Sequence, residues 1–254
     1  MTRKILLLLA LGCFIALCFA PHTDPTIVHL DEALEGPSRA HLLGTDPLGR
    51  DLFALMKAGS LRSLLVVLVG SAVSVFLGVG LGLLGGSVGG LCRELVRLFA
   101  DFTLIIPSFI LALILASLVG LSPLGTGLIL GVLDSGNYIH QVMALVERIL
   151  EAPFLLALEK LAIPRRRRMG HILRNLAPVV KTNLGNRAGG LILTYAGLAF
   201  VGLGTDMTAP DWGTMLYQYR LYLFERPGLI LWPSLGIAGL SALFMLLFDK
   251  EVES

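Results

Sequence analysis

The chain has 254 residues, of which 55% are hydrophobic and 15% charged, and its mean hydropathy is +0.81. Soluble domains carry about 25% charged residues, so this composition excludes an ordinary soluble protein and points to an integral membrane protein. A formal net charge of +2 is too small to argue for nucleic acid, and the three cysteines, at 13, 18 and 92, make neither a disulfide framework nor a CxxC metal pair.

In chain order, Arg3 and Lys4 precede an apolar run over residues 5–20, read as an uncleaved first transmembrane helix with the N-terminus inside. Residues 21–58 are polar, with more acidic than basic side chains, which marks an external loop. His22, Asp24, His29 and Asp31 within it define no metal geometry and are taken as solvated. A second span is expected over 61–88. Along it Gly70, Ser74, Gly78, Gly82, Gly86 and Gly90 recur every four residues, a ridge of small side chains that lets another helix come close. Each step drifts by about 40°, so only part of the ridge is expected to face one neighbour. No GKS or GKT follows, so this is not a phosphate loop and ATP binding is not expected here.

A third span is expected over 98–119, kinked by Pro107, and a fourth over 124–146. In the fourth, Asp134, Asn137, Tyr138 and Gln141 share an arc of about 100°. They line a water-filled path, form a local turn, or serve as interhelical hydrogen-bond partners; the spacing leaves all three open.

The segment EAPFLLALEKLAIPRRRRMGHILRN, residues 151–175, is amphipathic and strongly basic. Phe154, Leu155, Leu158 and Leu161 lay one apolar stripe along a short helix, Pro164 ends it, and a second short helix carries Arg165–Arg168 and Arg174. Such a loop fixes topology, binds anionic lipid, or docks on a cytosolic partner. A fifth span over 184–201, an aromatic external loop over 202–228 and a sixth span over 229–248 complete the reading. The fold class is therefore all-α, a polytopic membrane protein with about six transmembrane helices. Residues 1–60 supply a helix and external loop, and residues 61–254 supply the transmembrane domain with a cytosolic loop at about 147–183. No GxSxG elbow, HExxH pair or paired acid and base is present, so no catalytic residue, metal or cofactor is expected.

Four stretches resemble the C-type permease subunits of bacterial ABC importers for dipeptides, oligopeptides and nickel. HLLGTDPLGRDLF is similar to the family's first external motif through His41, Gly44, Thr45, Asp46, Gly49, Arg50 and Asp51, continued by Gly59, Ser63 and Leu64 with an arginine displaced to Arg62. DFTLIIPSFILALIL matches through Asp101, Pro107 and Ser108, and LAFVGLGTDMTAPDWGTML through Phe200, Gly202, Leu203, Gly204, Pro210, Trp212, Gly213, Met215 and Leu216. Trp232, Pro233, Leu235 and Asp249 fit the last span. The basic segment occupies the place of the family's coupling loop, and Ala157, Leu161, His171, Ile172, Leu173 and Asn175 agree with its pattern. It departs at Leu156, Ala162 and Arg174, where glutamate, glycine and proline are usual.

The resemblance implies a permease subunit embedded in the bilayer of the inner membrane, with both termini cytoplasmic. It pairs with a homologous permease subunit, two cytosolic ATPase subunits and an external solute-binding protein, and it is not itself an enzyme. Phe154, Ala157, Leu158, Leu161, Ala162, Arg165, Arg167, His171 and Asn175 are the expected ATPase-coupling residues. Asp134, Asn137, Tyr138 and Gln141 are the expected path residues, and Asp46, Arg50, Asp51, Trp212 and Gly213 the external motif. The worn coupling loop leaves one rival, a subunit that assembles without transporting or that anchors a cytosolic regulator.

Overall fold

In lipid every backbone N–H and C=O must be paired within the chain, so apolar stretches of this length close into helices. The computed structural model describes residue 12 and residues 24–119, 122–151, 165–202 and 210–248, with backbone alone for 119, 165–169 and 171. Among the described residues the α-helices are α1 (Leu52–Val88), α2 (Gly90–Ile105), α3 (Ser108–Val119), α4 (Pro123–Leu150), α5 (Arg165–Val201), α6 (Trp212–Tyr219) and α7 (Gly228–Phe248). Two short 3-10 turns lie at Leu30–Glu32 and Arg220–Tyr222. Among the described residues the β-pairing is one isolated bridge, Thr45 to Asp51. The helical ends follow local chemistry. Asp51 opens α1 by accepting the Phe53 N–H at 2.9 Å. Gly89, at φ 73°, closes it in a conformation that suits glycine. Ser122 and Pro123 open α4, the serine hydroxyl accepting the Gly125 N–H at 3.0 Å.

Among the described residues, helices α1 and α7 are long and apolar enough to cross a membrane, and α2 and α3 together meet the same length and composition, either as a broken span or as a re-entrant loop. Helix α4, at 28 residues, and α5, at 37, have the length but interrupt their apolar surface with Asp134, His140, Asn183 and Arg187. The first expected span, over 5–20, lies outside the described residues apart from Gly12.

The small-residue ridge is the seam on which the bundle is built, and, as its drift implies, only part of it faces one neighbour. A Cβ added at Gly78 would collide with Tyr138; one at Gly82 would sit 2.6 Å from the Val142 Cβ, and one at Gly86 2.9 Å from the Val146 Cβ. Gly70 lies under Gly127 from the same helix, and Ser74 between them is buried. Ridge positions 70 to 86 thus all face α4, because α4 answers with its own small residues: Gly127 fits against Val69 and Gly131 against Val73. Only Gly90 stands apart, at φ 55° with open space around it.

Two expectations about helix continuity are corrected. The third span is not one kinked helix. It breaks at Ile106 and Pro107, and α2 and α3 meet at 88°. Ile106, preceding a proline, is pushed to an extended φ −77°, ψ 127°, and the Pro107 carbonyl starts the new helix by accepting from Ile110 and Leu111 at 2.9 and 3.1 Å. Conversely, the second short helix of the basic segment is not separate. It runs straight into the fifth span as α5, through Pro178. A proline leaves the carbonyl four residues earlier unpaired, and here both Arg174 and Pro178 are exposed, so the loss is tolerated. Ile172 and Leu176 hold this extension by packing on Val142, Val146 and Ile149 of α4.

Candidate functional site

The residues of the expected external motif build a cap. Asp46 is fully buried and its two oxygens are saturated. Oδ1 accepts the N–H groups of Leu48 and Arg50 at 2.8 and 2.9 Å, and Oδ2 accepts Arg50 Nε and Nη2 at 2.8 and 2.7 Å and the Tyr219 hydroxyl at 3.0 Å. Burial, and then the neighbouring Asp46 charge, pushes the Tyr219 phenol well above its ordinary value. Trp212 is 2% exposed. Its indole N–H donates to the Met56 carbonyl at 3.0 Å, and its ring is clasped by Gly59 of α1 and Gly236 of α7, where an added Cβ would come within 2.8 and 3.0 Å. A Cβ at Gly213 would run into the Ala196 carbonyl and reach 2.7 Å from the Ala199 Cβ. Asp211, at the centre of the aromatic loop over 202–228, caps α6 by accepting the Thr214 N–H at 3.0 Å and its hydroxyl at 2.9 Å. Burial raises its pKa above the ordinary 3.8 against the pull of Thr214 and Arg62. The displaced arginine therefore has a place, beside Tyr195 and Asp211. These residues fasten α6 to α1, α5 and α7; they are a joint and not an exposed recognition face.

The polar residues of α4 divide between two environments. All four lie in continuous helix, so the local-turn alternative is excluded. Asp134 and Asn137 line a cavity of about 600 Å³ between the α2–α3 elbow, α4 and α5, together with Thr103, Pro107, Ser108, Asn186, Arg187 and Thr194. The Arg187 guanidinium donates to Asp134 Oδ1 and stacks 5.3 Å from the Tyr138 ring centre. Tyr138 is buried against Gly78 and does not line the cavity. Gln141, two turns from Asp134, accepts a hydrogen bond from Asn183 Nδ2 and borders a second cavity of about 270 Å³. Interhelical hydrogen bonding and cavity lining thus both occur on this face.

Sequence reading missed the α5 half of this wall. Asn183, Asn186, Arg187, Gly190 and Thr194 fall within an arc of about 100°, and the test applied to α4 finds them. It also missed His140 of α4, whose Nε2 lies 2.8 Å from Asp101 of α2. Of the coupling residues, Phe154, Ala157, Leu158, Leu161 and Ala162 lie outside the described residues. Arg165, Arg167 and His171 are described as α5 backbone only, and Asn175 is exposed on α5.

Residues 78–250 match the protein family described as binding-protein-dependent transport system inner membrane component. A probable D,D-dipeptide transport system permease protein of Escherichia coli (strain K12) is 31% identical over 204 residues, covering 80% of this chain and 68% of that protein. A dipeptide transport system permease protein of Alkalihalophilus pseudofirmus is 32% identical over 207 residues, covering 80% and 67%. A glutathione transport system permease protein of Pectobacterium atrosepticum is 30% identical over 254 residues, covering 96% and 81%. The chain therefore belongs to the inner membrane components of binding-protein-dependent transport systems, and is the permease of such an ABC importer and not its ATPase.

Proposed function

We propose that this permease forms half of a path for small peptides or similar polar solutes, and that the cavity at the α2–α3 elbow is this chain's share of it. The observation that carries the reading is the wall itself. Hydroxyl, amide and one charge pair converge on one cavity of a bundle whose exposed surface is rich in leucine, phenylalanine and isoleucine. Ionisable groups at membrane depth are costly unless they face a partner or water, and a hydrated cavity answers both for Asp134 and Arg187. Amide and hydroxyl groups also suit the backbone and termini of a short peptide, in keeping with the dipeptide and glutathione named for the relatives.

The finer arrangement belongs to the same proposal. Six spans put both termini and the 147–183 loop in the cytosol, with the cap around Trp212 outside. A homologous permease subunit supplies the facing half of the path, an external binding protein delivers solute, and two cytosolic ATPase subunits dock on the loop between α4 and α5. ATP-driven movement there re-packs the spans between outward- and inward-facing states. Phe154, Leu158 and Leu161 supply the apolar anchor and Arg165 and Arg167 the charge, with Ala157, Ala162, His171 and Asn175 shaping the dock.

The test is reconstitution of the complex in liposomes with a cognate binding protein, the homologous permease subunit and the ATPase subunits. Stimulation of ATP hydrolysis by the loaded binding protein, with uptake of labelled alanyl-alanine, is expected. An assembled complex whose ATPase ignores the binding protein would favour the assembly-only rival. Topology is read separately: a cysteine at Thr208 should label from outside and one at Met169 should not, and reversed labelling would overturn the six-span arrangement.

A further inference from the structure

Two cavities are stacked along the shared face of α4 and α5. The upper one, of about 600 Å³, holds Asp134, Asn137, Asn186 and Arg187; the lower, of about 270 Å³, is bordered by Gln141, Ala144, Leu145, Arg148 and Val179. The order along each helix is the same: 134, 137, then 141, 144, 148 on α4, and 187, 186, then 183, 179 on α5. Between the cavities stands a cross-link, Asn183 Nδ2 donating to Gln141 Oε1, and the same amide nitrogen donates to the Val179 carbonyl at 3.0 Å. Arg148, at the foot of the lower cavity, is three residues from the cytosolic loop that leaves α4.

We propose that the Gln141–Asn183 amide pair is the inner gate of the solute path, separating the central cavity from a vestibule below it. This rests on the reading of the central cavity as the path. The chemistry suits a gate. A neutral amide pair is worth little net free energy, because each partner regains hydrogen bonds to water or to a passing peptide when the pair opens. A charge pair such as Asp134–Arg187 is far more costly to part, and so serves as fixed wall. The helices need not separate, since Val142, Val146, Ile149, Ile172 and Leu176 keep them joined below; a swing of two unbranched side chains clears the way. Solute held above the pair meets amide groups of its own kind, and the gate passes hydrogen-bonding solutes in preference to apolar ones.

The experiment follows the reaction of a membrane-impermeant thiol reagent in inside-out vesicles carrying the whole complex, with Cys13, Cys18 and Cys92 replaced by serine. The reporter is Asn186→Cys in the upper cavity, and Ala144→Cys in the lower cavity is the control. With the native pair the reporter should react slowly and the control fast. Gln141→Ala with Asn183→Ala should speed the reporter roughly three- to tenfold, the change that losing one hydrogen bond of ordinary net strength allows, while the control stays as it was. The exchange Gln141→Asn with Asn183→Gln keeps an amide pair and should restore the slow rate. A reporter indifferent to the alanine pair, or an exchange that behaves like it, overturns the gate and leaves the path standing. A reporter that reacts from neither side of the membrane in any nucleotide state overturns both.

Discussion

Replacing Arg187 by leucine strands the Asp134 carboxylate inside a membrane helix, and replacing Asp134 strands a guanidinium. The two losses are not equal. Arg187 keeps the Tyr138 ring at 5.3 Å when Asp134 is gone, whereas among the described residues Asp134 meets no second cation. Breaking a fully buried pair from one side costs about 3–5 kcal/mol. Here the side chains are 21% and 19% exposed, toward the cavity, so screening reduces this to about 2–3 kcal/mol for Arg187→Leu. The Tyr138 contact spares Asp134→Leu about 0.5–1 kcal/mol of that. The double variant leaves no stranded charge and should assemble within about 1 kcal/mol of the native chain, yet it gives the cavity an apolar wall and should depress uptake. The assay pairs two readouts, the fraction of permease retained with its ATPase after graded heating in detergent and the initial rate of alanyl-alanine uptake. The expected order of stability is native, double, Asp134→Leu, Arg187→Leu. Single variants as stable as the native chain, or a double variant that sums the single losses, would refute the reasoning about the pair.

Gly82→Leu should prevent assembly or cost more than about 3 kcal/mol in heat resistance, since even a Cβ comes within 2.6 Å of Val142; Gly80→Leu, with open space around it, is the control that should be tolerated. Trp212→Ala should cost about 3–5 kcal/mol, read as lost heat resistance, because a buried indole and its bond to Met56 go together. For Asp211 the folded pKa is raised, so the folded chain holds the proton more tightly than the unfolded one. The native chain should therefore gain stability relative to Asp211→Asn as pH falls through that raised value, and melting series at several pH values that run parallel would contradict this. Replacing both Leu158 and Leu161 by aspartate should release the ATPase on size-exclusion chromatography, while changing two of Arg165–Arg168 to glutamine should only weaken it and lessen its salt sensitivity.

Much of this architecture was legible because lipid imposes simple rules. The glycine ridge announced a close helix partner, and the motif residues around Trp212 fell where joints between helices require small or hydrogen-bonding groups. What escaped was long-range or geometric. Pro107 reads as a kink in any membrane helix, whereas here the chain turns by 88° and α3 packs Ala112 and Ala116 into the main core. Arg187 lies 53 positions from Asp134, and Asp101 39 from His140, separations over which one sequence carries no pairing signal.

The central claim, that solute passes the α4–α5 face at the elbow, is tested most directly by obstructing it. In the complex with Cys13, Cys18 and Cys92 replaced by serine, a bulky disulfide-forming reagent is attached at Asn137→Cys in the cavity, or at Leu128→Cys on the exposed apolar side of the same helix. The account predicts that alanyl-alanine uptake falls on modification at 137, recovers when reductant removes the adduct, and is unaffected by modification at 128. Full uptake with position 137 stoichiometrically modified would contradict it.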